Sequence, residues 1–432
     1  MALQFKQGTF TAPASPGVVT VTPGFQAKVI IVFGGTLTAG GIGVDSPLFF
    51  GMASSTSVSE QHCMSSNNDD NVATTDNVTA LSSSAILFVN TPVFNYPSSL
   101  MLVASISAIG STTFDVDFST TTSGVIIHYI ALGGADLTDA KVMSFPFPIV
   151  TGNFDVVGAG FTPDAAIFLG GTLGGGGVLT SNVRWGVGAA KSSSVRWATS
   201  INAVDGATMT GTMNFIRRQR TDRCLTCLTD DTTLLFDADF VNFTSDGCTL
   251  NALTSPGSTK ECQVLFLKGG QYAVGASAAC TTSNCNQDVS VGFTPVGIVL
   301  VATGQIANTN VRDLDCNLHF GGGDGTNEGT SGISGDDAAL NTRCDQTTVT
   351  TKAIRLLTAA NPATVDGEAD HSLTAVANSF RLTWTNPPAA ASQICYVAFG
   401  DAVAAGQPTH RRWEGVPHMA LKGLSRQGIR AA

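Results

Sequence analysis

Alternation of apolar and polar residues with period two runs through most of the chain. VVTVTP (18–23), FDVVGA (154–159) and QDVSV (287–291) place an apolar side chain at every other position, as strands with one buried face do. Each of these segments runs into a Gly-Phe turn and then a continuous apolar stretch: GFQAKVIIVFGG (24–35), GFTPDAAIFLGG (160–171) and GFTPVGIVLVATG (292–304). Alternation, turn and apolar run together predict a hairpin whose second strand is central and buried. Gly160 and its counterparts would supply a backbone angle that larger residues resist.

The three phrases begin at Gly24, Gly160 and Gly292, at nearly equal intervals along the chain. Further anchors follow in the same order. GGTLTAGGIG (34–43) matches GGTLGGGGVL (170–179), and Phe50-Gly51, Trp185-Gly186 and Phe320-Gly321 follow Phe25, Phe161 and Phe293 at almost constant separation. GVIIHYIALGG (124–134), CQVLFLKGG (262–270) and ICYVAFGD (394–401) close the series. The lengths from opening to closing glycine are nearly identical in the three cases. Recurrence at this spacing predicts a tandem triplication.

Val, Ile, Phe and Thr fill the periodic segments, and Gly, Pro, Asn and Asp fill the gaps between them. The expected fold is all-β: three tandem antiparallel β-sandwich modules, wound as a jelly roll or in an immunoglobulin-like order, with a short basic C-terminal tail. The expected boundaries are 1–143, 144–279, 280–409 and, for the tail, 410–432. The stretches 135–159 and 271–291 read as extended linkers, the first stiffened by Pro146 and Pro148. The segments 65–77 and 321–337 read as variable loops at one end of the modules, where partner contacts would form.

Only 12% of the 432 residues are charged, 47 are glycine, and the mean hydropathy is +0.20, so the chain is neither disordered nor typical of a free monomer. Much of its surface would be neutral Ser, Thr, Asn and Gly, which suits a subunit covered by neighbours, a homo-oligomer among them. The net charge of −10 argues against nucleic-acid binding. From His410 onward the balance reverses: Arg411, Arg412, Lys422, Arg426 and Arg430 stand against Glu414 alone, a net of +4 that leaves −14 on the rest. This tail, with Trp413 as an apolar anchor, is a candidate docking element. The start MALQFKQGTF resembles no secretory leader and no apolar run is long enough to span a bilayer, which predicts synthesis in the cytoplasm without membrane association.

Ten cysteines are distributed without regard to the repeat. Cys224-Leu-Thr-Cys227 lacks a second pair at zinc spacing and reads as buried thiols. Cys280 and Cys285 could close a small disulfide loop in an oxidising medium. Arg217, Arg218, Arg220 and Arg223 crowd one stretch, FIRRQRTDR, and are candidates either for binding an acidic partner or for pairing with carboxylates of another module. GGTLGGGG lacks the Lys and Ser/Thr of a phosphate loop, and Asp324–Gly329 lacks the closing Glu of a calcium loop. His128 stands in an apolar strand as a core or interface histidine. No residue set marks a catalytic, metal or cofactor site.

Tandem sandwiches opening on GF(T/Q)P, rich in Gly, Thr and Ala and poor in charge, resemble virion structural proteins of tailed bacteriophages: head decoration, head-fibre, collar and tail-fibre subunits. The resemblance implies a non-enzymatic protein that assembles in the host cytoplasm, binds other virion proteins and works outside the cell. The extracellular stage would allow Cys280 and Cys285 to oxidise late. The alternative expectation is a phage-tail or cell-surface adhesin, which binds a host glycan or receptor through the loops 65–77 and 321–337.

Overall fold

A computed structural model describes residues 2–402 apart from 90–99, 175–178, 209–214, 230–232, 307–312, 338–340 and 359. Nearly all regular structure among the described residues is strand, shared evenly between three successive segments. The first segment runs β1 (Leu3–Thr11), β2 (Gly17–Val21), β3 (Ala27–Gly34), β4 (Gly41–Val44), β5 (Leu48–Ala53), β6 (Gln61–Asn68), β7 (Asn77–Ser82), β8 (Ile86–Val89), β9 (Leu100–Ile109), β10 (Phe114–Thr120) and β11 (Ile126–Gly134). The second runs β12 (Asp139–Phe147), β13 (Gly152–Val157), β14 (Ala165–Gly171), β15 (Leu179–Ser181), β16 (Val183–Ser192), β17 (Val195–Ala203), β18 (Phe215–Arg220), β19 (Leu225–Leu228), β20 (Leu234–Thr244), β21 (Gly247–Thr254) and β22 (Lys260–Lys268). The third runs β23 (Gln271–Ala278), β24 (Cys285–Ser290), β25 (Pro295–Ala302), β26 (Asp313–Leu314), β27 (Cys316–Gly323), β28 (Glu328–Asp336), β29 (Arg343–Val349), β30 (Ile354–Leu357), β31 (Val365–Ser372), β32 (Ser379–Asn386) and β33 (Gln393–Gly400).

These strands form antiparallel sheets whose orders match position by position. Three sheets have seven strands: β1-β11-β3-β5-β6-β7-β15, β12-β22-β14-β16-β17-β18-β26 and β23-β33-β25-β27-β28-β29-β4. Three have four: β2-β10-β9-β8, β13-β21-β20-β19 and β24-β32-β31-β30. The last strand of every seven-stranded sheet comes from another segment. The second segment donates β15 to the first, the third donates β26 to the second, and the first donates β4 to the third, so the donation is cyclic. This order of seven and four differs from the four-and-three arrangement of an immunoglobulin domain.

The two kinds of hydrophobic pattern mark two kinds of burial. On β3, Ile30 and Val32 join a cluster with Phe114, Val116 and Phe118 of the small sheet, while Val29, Ile31 and Phe33 join a second cluster common to all three segments. On β14, Ala166 and Phe168 face the small sheet, and Ile167 and Leu169 face the common centre. On β25, Ile298 and Leu300 do the former, and Val299 and Val301 the latter. A strand covered on both faces has no polar side to alternate with, hence the continuous runs. The alternating strands β2, β13 and β24 are edges of the small sheets and keep one face in water.

The Gly-Phe turn therefore does not close a hairpin. β2 pairs with β10 and β3 with β11 and β5, so the turn arches from the small sheet to the large one. Gly24, Gly160 and Gly292 take φ of 93°, 80° and 84°, the left-handed angle the arch needs. Phe25 and Phe293 settle against the closing strand at Gly133 and Gly400, and Phe161 lies under the ammonium of Lys268.

Three other expectations are corrected. Most of 135–159 and 271–291 is strand, not linker: β12 pairs with β22 along its whole length, and β23 with β33. β12 spans the expected boundary at 143/144, and β23 opens the third segment at Gln271, ahead of the expected 280. Pro146 is accommodated because β12 is an edge, where one row of N–H groups needs no ladder partner. Residues 321–337 are mostly β27 and β28, buried, with only a tight turn at 324–327, in which Asp324 accepts the N–H groups of Thr326 and Asn327. Small neutral residues there line an interior contact, so their polarity does not mark a surface loop.

Candidate interaction surfaces

The contacts between segments follow one direction. The first strand of a segment docks on a turn of the segment before it: Lys6 on β1 meets Asp324 at 3.2 Å while the Gln7 N–H donates to Asp324 Oδ2. Lys141 on β12 meets Glu60 at 2.5 Å, and the Val142 N–H donates to Ser54 Oγ at 2.8 Å. Burial of Glu60 opposes ionisation, but the Lys141 ammonium and Ser54 hydroxyl outweigh it and hold the carboxyl below its usual range. On β23 the polarity is reversed, and Lys191 near the end of β16 donates to the Tyr272 carbonyl at 2.8 Å.

The donated strands are fastened by equivalent residues of the strand they join. Thr79 on β7 donates to the Asn182 carbonyl at 2.9 Å. Gln346 on β29 accepts from the Thr36 N–H at 2.7 Å and donates to Thr36 Oγ1 at 2.8 Å. Arg217 on β18 reaches Asp313 at 4.0 Å. Connections between strands interlock as well: Thr75 and Asn77 bond to the Val204 carbonyl, the Asn71 N–H to the Thr342 carbonyl at 2.9 Å, and the Phe215 N–H to Asp337 at 2.7 Å.

The arginines of 217–223 are drawn into the fold. The Arg217 side chain is 11% exposed, and burial pushes both its pKa and that of Arg218 down. Arg218 donates to Thr226 Oγ1 at 3.3 Å, Arg220 forms a fork with Asp222, and Arg223 bridges Asp237 at 2.7 Å and Asp222 at 3.0 Å. Their charge is spent on carboxylates of this chain, including Asp313 of the third segment. Arg411, Arg412, Trp413, Lys422, Arg426 and Arg430 lie outside the described residues.

Cys280 and Cys285 form a disulfide with Cα atoms 6.1 Å apart at the entry to β24. The other eight cysteines are buried thiols, and burial raises those of Cys63 and Cys227 to about 12. Among the described residues no three His, Cys, Asp or Glu side chains are grouped to hold a metal ion. His371 resembles half of a catalytic dyad, with Nδ1 2.7 Å from Glu328, but its Nε2 already accepts the Gly325 N–H at 2.9 Å and has no free lone pair for a base. An open groove of about 750 Å³ between the first two segments is lined by Lys28, Ser54, Ser107, Thr138 and Asp139, and lacks the aromatic platform on which a sugar ring stacks. No helix of the described residues is long and apolar enough to cross a membrane.

The donated strands are what inspection of the sequence missed. Their trace was present in the match of GGTLTAGGIG with GGTLGGGGVL, which covers β4 and the approach to β15, but a four-residue strand gives no sign of which sheet it joins. No family model and no curated protein matches the chain.

Proposed function

We propose that the three pairs of sheets are three copies of one β-sandwich module, and that the chain is a structural protein of a tailed-bacteriophage virion, a decoration, collar or fibre component that acts by protein–protein contact. The observation that carries this reading is the cyclic donation of β15, β26 and β4, which ties the three segments into one interlocked body. Such a body, its described strands held by pairing within and between segments, is suited to bearing load. The low charge has a physical place in it: Ser65, Ser66, Thr199, Ser200, Ser331 and Ser334 are buried within the large sheets, where charges would have to be desolvated.

Mass spectrometry of purified particles from the source culture tests the proposal. Presence of the chain in tens to hundreds of copies supports a decoration, collar or tail component, and a few copies a fibre. Absence overturns it. The tail, at +4 against −14 elsewhere, is proposed to dock on an acidic neighbour in the particle. Truncation after Thr409 should then abolish incorporation.

A further inference from the structure

The cyclic donation makes the three segments a ring, and the strand registers give that ring two poles. At one pole β1 begins, the chain crosses between segments and β33 ends. There the Leu3 N–H donates to Asp401 Oδ1 at 2.8 Å, Gln271 Nε2 to the Asp401 carbonyl at 2.6 Å, and the Ala402 N–H to Asp136 Oδ2 at 2.9 Å. β3 runs away from this pole, from Ala27 opposite Gly133 to Gly34, and β14 and β25 run the same way. At the other pole the donated strands end. Asp45, Asn182 and Asp315 follow β4, β15 and β26 with φ of 62°, 72° and 72°, and their side chains accept the N–H groups of Asp70, Asp205 and Asp337 at 3.0, 2.9 and 2.9 Å.

This second pole is apolar and acidic at once. Of the nine large apolar side chains exposed among the described residues, three lie here: Val44 (63%) and Leu314 (46%) at equivalent ends of β4 and β26, and Ile306 (55%) beyond the end of β25. The half-buried carboxylates of Asp45, Asp69, Asp70, Asp76, Asp205 and Asp315 share the pole, and its described arginines, Arg217 and Arg343, are set against Asp313 and Asp336. Exposed apolar groups rimmed by charge of one sign suit a partner that brings an apolar anchor among charges of the other.

The chain itself carries that complement. Residues 410–432 hold +4 against −14 elsewhere, with Trp413 directly after Arg411 and Arg412. They follow Ala402, which is held at the opposite pole. Arg411 stands nine residues beyond Ala402 and reaches at most about 32 Å from it, while the strands alone take up roughly 30 Å between the poles. The acidic pole of the same copy is therefore at the limit of reach, whereas a copy stacked on the first pole presents its own directly.

We infer that copies of this chain associate end to end: the basic stretch 410–432 of one copy docks on the acidic pole of the next, with Trp413 against Val44, Ile306 and Leu314. The contact joins two different surfaces at opposite ends of the ring, so it does not close in a dimer and builds a linear series of copies. The inference rests on the reading of 410–432 as a docking element and names its neighbour as a second copy of the chain.

Sedimentation velocity of the full-length protein over a concentration series tests it. In about 50 mM salt the mean mass should rise past that of a dimer with concentration, and about 500 mM salt should return it toward the monomer. Truncation after Thr409 should leave a monomer. The Val44→Asp, Leu314→Asp double variant, changed only at exposed side chains, should associate at least about tenfold more weakly. A synthetic peptide of residues 410–432 should bind the truncated protein, read by fluorescence anisotropy, and bind the truncated double variant more weakly by a similar factor. Full-length protein that stays monomeric at about 100 μM in low salt overturns the inference even if the peptide binds, because the stretch then docks within its own copy. Association that survives truncation overturns it as well. Loss of incorporation on truncation without self-association would sink the inference and leave the docking reading in place, whereas normal incorporation of the truncated chain removes that reading itself.

Discussion

The rings of Phe50 and Phe320 lie 4.7 Å apart although they belong to the first and third segments, and Trp185 of the second lies 5.7 Å from Phe320. All three lie on the fourth strand of a seven-stranded sheet and belong to the cluster common to the three segments; Phe50 and Phe320 hold one register position, whose counterpart in the second sheet is Val187, and Trp185 stands two residues before it. An aromatic on this strand is an anchor for the whole ring. Phe320→Ala would remove contacts with both other segments, and we expect a loss of about 3–5 kcal/mol in denaturant unfolding. A cost below about 1 kcal/mol would show that the centre is not shared.

Each anchor precedes a glycine for a reason of space. A Cβ on Gly51, Gly186 or Gly321 would lie 1.8, 2.0 and 2.0 Å from the carbonyl oxygens of Ala85, Thr226 and Ala353, where the small sheet crosses over the large one. Backbone cannot yield as a side chain tip does, so Gly186→Ala should prevent soluble expression. Gly160→Ala meets nothing within 4 Å and suffers only from its φ of 80°. It should fold with a cost of about 1–2 kcal/mol, readable as a lowered Tm.

Acid should destabilise the protein through its histidines. Burial lowers His128, stacked 5.1 Å from Phe33, and His319 to about 3. Their folded pKa lies below the unfolded value, so the stability they permit is complete above about pH 6.5 and falls toward about pH 3 by up to about 1.4 kcal/mol per pH unit for each. Asp69 and Asp345 act in the opposite sense below about pH 6, but they are partly solvated and weigh less. Stability measured by urea unfolding should be greatest near about pH 6–7 and decline below it. A steady rise down to about pH 4 would contradict the burial of these rings.

Arg217 and Arg223 should respond differently to neutralisation. Arg217 occupies the position that Gln346 holds in the third sheet, and its Nε and Nη1 lack hydrogen-bond partners, so Arg217→Gln should change stability by less than about 1 kcal/mol in either direction. Arg223→Gln would leave Asp237, whose side chain is 4% exposed, without its cation, at a cost of about 2 kcal/mol. Parallel melting curves of the two variants check the contrast.

The disulfide predicts a cross-linked peptide. Digestion without reductant should yield the segment containing Cys280 and Cys285 lighter by a hydrogen pair, and alkylation should label neither residue, while the eight buried thiols react only after unfolding.

The sequence by itself determined the all-β character, the triple recurrence and which strands are central, because period two and unbroken apolar runs report directly on how many faces of a strand are covered. It also carried the left-handed glycines, since a positive φ is a local demand, but its match of Trp185 with Phe50 and Phe320 is out by two residues, because the register gives that place to Val187. Tertiary structure alone decided three other matters. That VVTVTP and the run after Gly24 lie in different sheets, and that β12 is an edge strand in place of a linker, depends on which backbone each segment meets, and alternation is blind to the partner. That β4, β15 and β26 cross to other segments depends on a few hydrogen bonds whose donors and acceptors every residue carries alike, so no side-chain pattern could announce the ring they close.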